Sequence, residues 1–136
     1  MKRFHLIFGL IVLVIFLLTG QYMDRYFNHL EGMPDGPRML YRTRHIFILL
    51  AALLNLGLGR YLRTDETQLR RGLQILGSVL IVGATILFIV AFFNEPKLMN
   101  LETPLSHRGM YAIAAGTLLH LLSGIQPRTL PEVNKD

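Results

Sequence analysis

The sequence predicts an all-α fold, an integral membrane four-helix transmembrane bundle with antiparallel up-down topology. Three observations carry that prediction. Four apolar runs, at about 4–22, 43–62, 72–93 and 108–125, are each long enough to cross a hydrocarbon core of roughly 30 Å at 1.5 Å per residue. No Asp, Glu, Lys or Arg occurs between Phe4 and Tyr22, Ile46 and Gly59, Leu73 and Phe93, or Gly109 and Ile125, whereas a soluble bundle would show a charged strip on each helix. The runs also lack the alternation of a membrane barrel, and backbone in lipid must satisfy itself internally, so they are helices. Residues 1–136 read as one four-span domain ending in a short tail at 126–136.

The first helix starts near Phe4, and Leu6–Leu18 holds no polar side chain. Lys2 and Arg3 before this run resemble a signal peptide, but no small-x-small cleavage site follows, so the segment reads as a retained anchor. Tyr22, Tyr26 and Phe27 suit an aromatic belt at headgroup level, and the helix can continue to Leu30. Gly32-Met33-Pro34-Asp35-Gly36-Pro37 breaks it. Pro37 fits the first position of the second helix, capped by Asp35 or Gly36. Asp65 and Gln68 have capping-box spacing for the third helix, which stops at Asn94-Glu95-Pro96. Ser106 fits as the cap of the fourth helix, and Pro127 and Pro131 end it. Small residues in the last three helices place those three close together, with the bulky first helix more peripheral and facing lipid or a partner.

Basic residues set the expected orientation. With the N-terminus in the cytoplasm, the inner flanks carry Lys2, Arg3, Arg60, Arg63, Arg70, Arg71, Arg128 and Lys135, and the outer flanks Arg25, Arg38, Arg42, Arg44, Lys97 and Arg108. The inner excess places both termini inside a bacterial inner membrane. The net charge of +5 is spread over helix ends, so lipid headgroups account for it better than nucleic acid. The chain has no cysteine, which excludes disulfides, thiolate metal sites and thiol nucleophiles.

Two places could carry chemistry. At the outer rim, Arg38, Arg42 and His45 share a helix face at i, i+4, i+7, with Arg44, His107 and Arg108 near the same level. Arginine forks match carboxylates and phosphates, so this rim is the candidate ligand-binding site for an anionic lipid, a quinone or a haem propionate. Alternatively these residues snorkel and pair with Asp24, Glu31, Asp35, Glu95 and Glu102. In the fourth helix, Ala112, Gly116, His120 and Gly124 recur at i+4, putting His120 on a packed face. Asn55, Gln74 and Ser78 are the other buried polar candidates and its expected partners.

No cofactor and no metal site is predicted. Haem b is the alternative, but His45 and His120 differ in depth by about 15–20 Å and cannot share one iron, while His45 with His107, or His5 with His120, match better. No span carries a carboxylate, which removes the simplest proton-coupled transporter. No Ser-His-acid set, HExxH, phosphate loop or dinucleotide fingerprint occurs, and no catalytic residue is assigned. Arg42-Thr43-Arg44-His45 resembles, over these four residues, the Arg-x-His-x-Asn element of the four-span MAPEG enzymes. Phe47 stands where that family has Asn, and the family's nearby Glu is absent. The expectation is a small accessory or assembly subunit of a membrane complex, partnered by lipid and by a larger membrane protein or a second copy. A ligand-binding bundle and a MAPEG-type enzyme are the alternatives.

Overall fold

A computed structural model of the chain describes residues 1–61, 67–97 and 102–124. It contains four α-helices, α1 (Lys2–Phe27), α2 (Asp35–Tyr61), α3 (Gln68–Asn94) and α4 (Pro104–Gly124), with short 3-10 turns at Asn28–Leu30 and Glu95–Lys97. No strand occurs among the described residues. Three helical segments, Lys2–Leu30, Asp35–Tyr61 and Gln68–Lys97, are long and apolar enough to cross a membrane. The fourth expected span differs: α4 has 21 residues but is not among them. His107, Arg108 and His120 dilute its average apolar content.

The helices pair as two hairpins. α1 packs on α2 as extensively as α4 packs on α3, and the contact between α2 and α3 is much smaller. Although α1 is the least buried of the three long apolar segments, as its bulky residues predict, this corrects the expectation that the last three helices cluster together. Glycine placement is the reason. An added Cβ on Gly59 would lie 2.7 Å from the Leu6 backbone nitrogen, and one on Gly9 would lie 2.9 Å from the Leu56 nitrogen, so the α1 and α2 backbones touch directly. On the other hairpin, a Cβ on Gly77 would lie 2.9 Å from the Gly116 carbonyl oxygen, and one on Gly109 would lie 2.6 Å from the Phe88 ring. The packed stripe of α4 is Ser106, Gly109, Ile113, Gly116, His120 and Ser123, alternating steps of three and four residues. It is not the strict i+4 row, because Gly124 is exposed and faces nothing within 4 Å.

Helix ends differ from expectation in two places. α2 begins at Asp35, so Pro37 sits inside the first turn, where its missing N–H would have no intrahelical acceptor in any case. The Arg38 amide donates to the Pro34 carbonyl, just before the helix, at 3.1 Å. α4 begins at Pro104, which puts Ser106 at the third helical position instead of the cap. The Asp65 capping box, the Pro127 and Pro131 stop and the tail lie outside the described residues.

The end of α1 is a left-handed corner. Asn28, His29 and Leu30 have φ of 45°, 57° and 68°. Asn tolerates this region, whereas a leucine there costs about 1–3 kcal/mol. Leu30 is 2% exposed, and burying a leucine returns about 1.5–3 kcal/mol, enough to hold the corner.

Candidate functional site

Two buried polar clusters lie at opposite ends of the fold. The first joins all four helices. His5 of α1, Asn55 of α2, Ser78 of α3 and His120 of α4 are each at most 9% exposed. His5 Nδ1 lies 2.8 Å from Asn55 Oδ1, and His5 Nε2 lies 2.8 Å from Ser78 Oγ. Ser78 Oγ lies 3.2 Å from His120 Nε2. The Asn55 amide nitrogen donates to the Ala51 carbonyl at 2.8 Å and to Thr85 Oγ1 at 3.3 Å, while the Thr85 hydroxyl donates to Ile81 O at 2.8 Å. Gln74 is buried one helical turn before Ser78 on the same face of α3.

Local sequence explains this convergence. On α1 the buried positions His5, Gly9, Val12 and Thr19 follow a heptad-like stripe, so the histidine shares a face with the glycine that admits Leu56. On α3, Gly77 removes the side chain that would collide with His120, since a Cβ there would lie 3.0 Å from His120 Cδ2. The His5 and His120 rings then stand edge to face with centroids 6.2 Å apart. The Ser78 hydroxyl lies within hydrogen-bonding distance of both Nε2 atoms. Among the described residues, no group of three or more His, Cys, Asp or Glu side chains could hold a metal ion.

The second cluster is an ion pair at the other end. Arg44 Nε donates to Glu95 Oε2 at 2.7 Å, with the two side chains 5% and 1% exposed. Glu95 also accepts from the Ser106 amide at 2.9 Å and from the Ser106 hydroxyl at 2.5 Å. The carboxylate therefore sits at the N-terminus of α4, where a helix favours negative charge, and ties α2 to both chain segments of the second hairpin. Arg44 additionally lies 5.9 Å from the Phe47 ring centre.

The rim residues take separate partners within the protein. Arg44 turns inward to Glu95. Arg38 pairs with Asp35 on its own helix. His45 is half-buried, stacked on Phe16 at 4.1 Å between centroids, with Nδ1 3.0 Å from Thr19 Oγ1. Because the Thr19 hydroxyl already donates to the Phe16 carbonyl, His45 Nδ1 is the donor to Thr19. Arg42, His107 and Arg108 are exposed. A hollow of about 550 Å³ at this end is lined instead by Arg25, Tyr26, Phe27, Glu31, Met33 and their neighbours.

In the sequence His5 stands out only as a depth match for His120, and Glu95 is one of several acids that could pair with the rim. The heptad stripe on α1 is the signal that could have found His5. Nothing local marks Glu95, since its partners lie 51 and 11 positions away. No protein-family model matches the chain, and neither curated proteins nor solved structures give a match.

Proposed function

We propose that this chain is a four-span protein of a bacterial inner membrane, with both termini cytoplasmic, that serves as a non-catalytic accessory or assembly subunit of a larger membrane complex. One observation carries the reading: the chemistry-bearing interior groups bind helix to helix. Arg44, Glu95 and Ser106 close one end, and His5, Asn55, Ser78 and His120 close the other. Side chains so engaged build a scaffold and are not presented to a substrate. The fourth span is supported by the way α4 is turned. Its polar Ser106, His120 and Ser123 are buried, while Met110, Leu118, Leu121 and Leu122 point outward. Average hydropathy counts both faces, but lipid meets only the outer one. Orientation rests on the basic excess of the inner flanks.

Native mass spectrometry of the protein extracted in mild detergent tests the reading. The expected result is a stoichiometric complex with a larger membrane protein. A partner-free monomer across several detergents contradicts it. The same spectrum addresses a second reading, a bundle that binds a lipid or quinone, which His120 Nδ1 favours: it is buried and has no hydrogen-bond partner. A retained small molecule of lipid or quinone mass would support that alternative.

A further inference from the structure

We propose that His5, Ser78 and His120 form a buried proton-binding site that takes up one proton and passes it from one imidazole to the other through the serine hydroxyl. The bond directions in this seam are fixed from one end. The Asn55 amide nitrogen donates to Ala51 O and Thr85 Oγ1, so its Oδ1 faces His5 and can only accept. His5 Nδ1 therefore carries a hydrogen, and its neutral ring offers a lone pair at Nε2. Ser78 donates its hydroxyl hydrogen to that lone pair, at 2.8 Å, and accepts in turn from His120 Nε2–H, at 3.2 Å. His120 Nδ1 is then the last acceptor of the chain, buried and receiving no hydrogen bond.

A proton arriving at His120 Nδ1 makes that ring an imidazolium. Its Nε2 proton moves to Ser78 Oγ as the Ser78 hydroxyl proton moves to His5 Nε2. One proton has entered, His120 is neutral again with its hydrogen now on Nδ1, and His5 carries the charge. The path ends there, because the Asn55 amide oxygen that holds His5 Nδ1–H is not basic enough to take a proton onward. The seam thus stores one proton and does not conduct it. A second proton would place two cations 6.2 Å apart, and their repulsion disfavours double charging.

The charges at this end come from every helix whose terminus is described there: Lys2 and Arg3 on α1, Arg60 beside Tyr61 on α2, and Arg70 and Arg71 on α3. α4 has no ionisable side chain other than His120 between Tyr111 and Gly124. The described acids, Asp24, Glu31, Asp35, Glu95 and Glu102, all belong to helix ends or turns at the opposite end.

The test is nitrogen NMR of the full chain, labelled at histidine and held in phospholipid nanodiscs, from about pH 8 to about pH 4, a range that brackets an imidazole. At the alkaline end the expected tautomers are Nδ1–H for His5 and Nε2–H for His120. On acidification the pair gains one proton and His120 changes to the Nδ1–H form before any doubly charged pair forms. Ser78→Ala keeps His120 in its Nε2–H form until that ring itself becomes charged. Ser78→Thr retains the hydroxyl and restores the exchange, and it separates a lost relay from a lost fold. The proposal is overturned by the opposite tautomers at alkaline pH, by two rings charging independently, by no uptake across the range, or by exchange that persists in Ser78→Ala. A lipid or quinone hydroxyl found bonded to His120 Nδ1 also overturns it.

Discussion

Replacing Glu95 by alanine probes the ion pair where the structure concentrates most charge. The carboxylate is 1% exposed and accepts three hydrogen bonds, from Arg44 Nε at 2.7 Å, the Ser106 amide at 2.9 Å and the Ser106 hydroxyl at 2.5 Å. Glu95→Ala strands a guanidinium that is 5% exposed, together with two uncharged donors. Breaking a buried pair by removing one partner costs about 3–5 kcal/mol. Arg44→Met leaves Glu95 with both Ser106 bonds, so its cost is smaller, about 1.5–3 kcal/mol for one charged hydrogen bond. The double replacement Arg44→Met with Glu95→Met removes both charges and leaves only the Ser106 donors, at about 1–3 kcal/mol. The double variant should thus be more stable than Glu95→Ala alone, a non-additivity that a double-mutant cycle measures. Reversible unfolding in mixed micelles, followed by circular dichroism, supplies the energies. Glu95→Ala within about 0.5 kcal/mol of the natural chain, as for an ordinary surface change, would mean that Arg44 and Glu95 are not paired in a dry interior.

The glycines divide by what surrounds them. Gly59→Ala should lose about 1–3 kcal/mol, because its Cβ would stand 2.7 Å from Leu6 backbone, while Gly57→Ala, with nothing within 4 Å, should gain about 1 kcal/mol from helix propensity. The same unfolding assay separates the two signs. Asn55→Leu removes the acceptor of His5 Nδ1–H and should cost about 1–3 kcal/mol, since that donor is then buried without a partner. An unchanged midpoint for Asn55→Leu would mean that the seam does not hold the helices together.

The coarse fold was legible because lipid imposes a strong rule: apolar runs of span length read as helices, and α1, α2 and α3 follow the runs closely. The α4 hydropathy is less plain, because its apolar face and its buried His120 and Ser123 lie on the same short helix. Helix pairing was harder to read. In sequence Gly59 reads as packing the second helix on the third and fourth, yet with Gly9 it sets the α1–α2 contact, because a glycine's effect depends on which backbone approaches it. Asn55, Ser78 and His120 were visible as polar residues inside apolar runs. His5 and Glu95 sit at helix ends, where polar residues are ordinary, so only the three-dimensional placement distinguishes them from Lys2 or Lys97. Arg44 and Arg42 have the same sequence character, and helix phase alone turns one inward and the other outward.

In the function proposed above, the interior of this chain serves as scaffold and its outer apolar surface meets a larger membrane protein. α1 is the least buried of the apolar segments, with 17% of its most apolar window buried against 39% for each of the other two. A photo-reactive residue placed in turn at Ile7, Leu10, Val14 and Leu17, all exposed, and at Val12, which is buried, tests this in living cells. The expected result is one discrete crosslink to a larger membrane protein from the outward positions and none from Val12. Outward positions that yield no protein adduct at natural expression levels, on α1 and equally at Leu53, Val79 and Leu118, would contradict it.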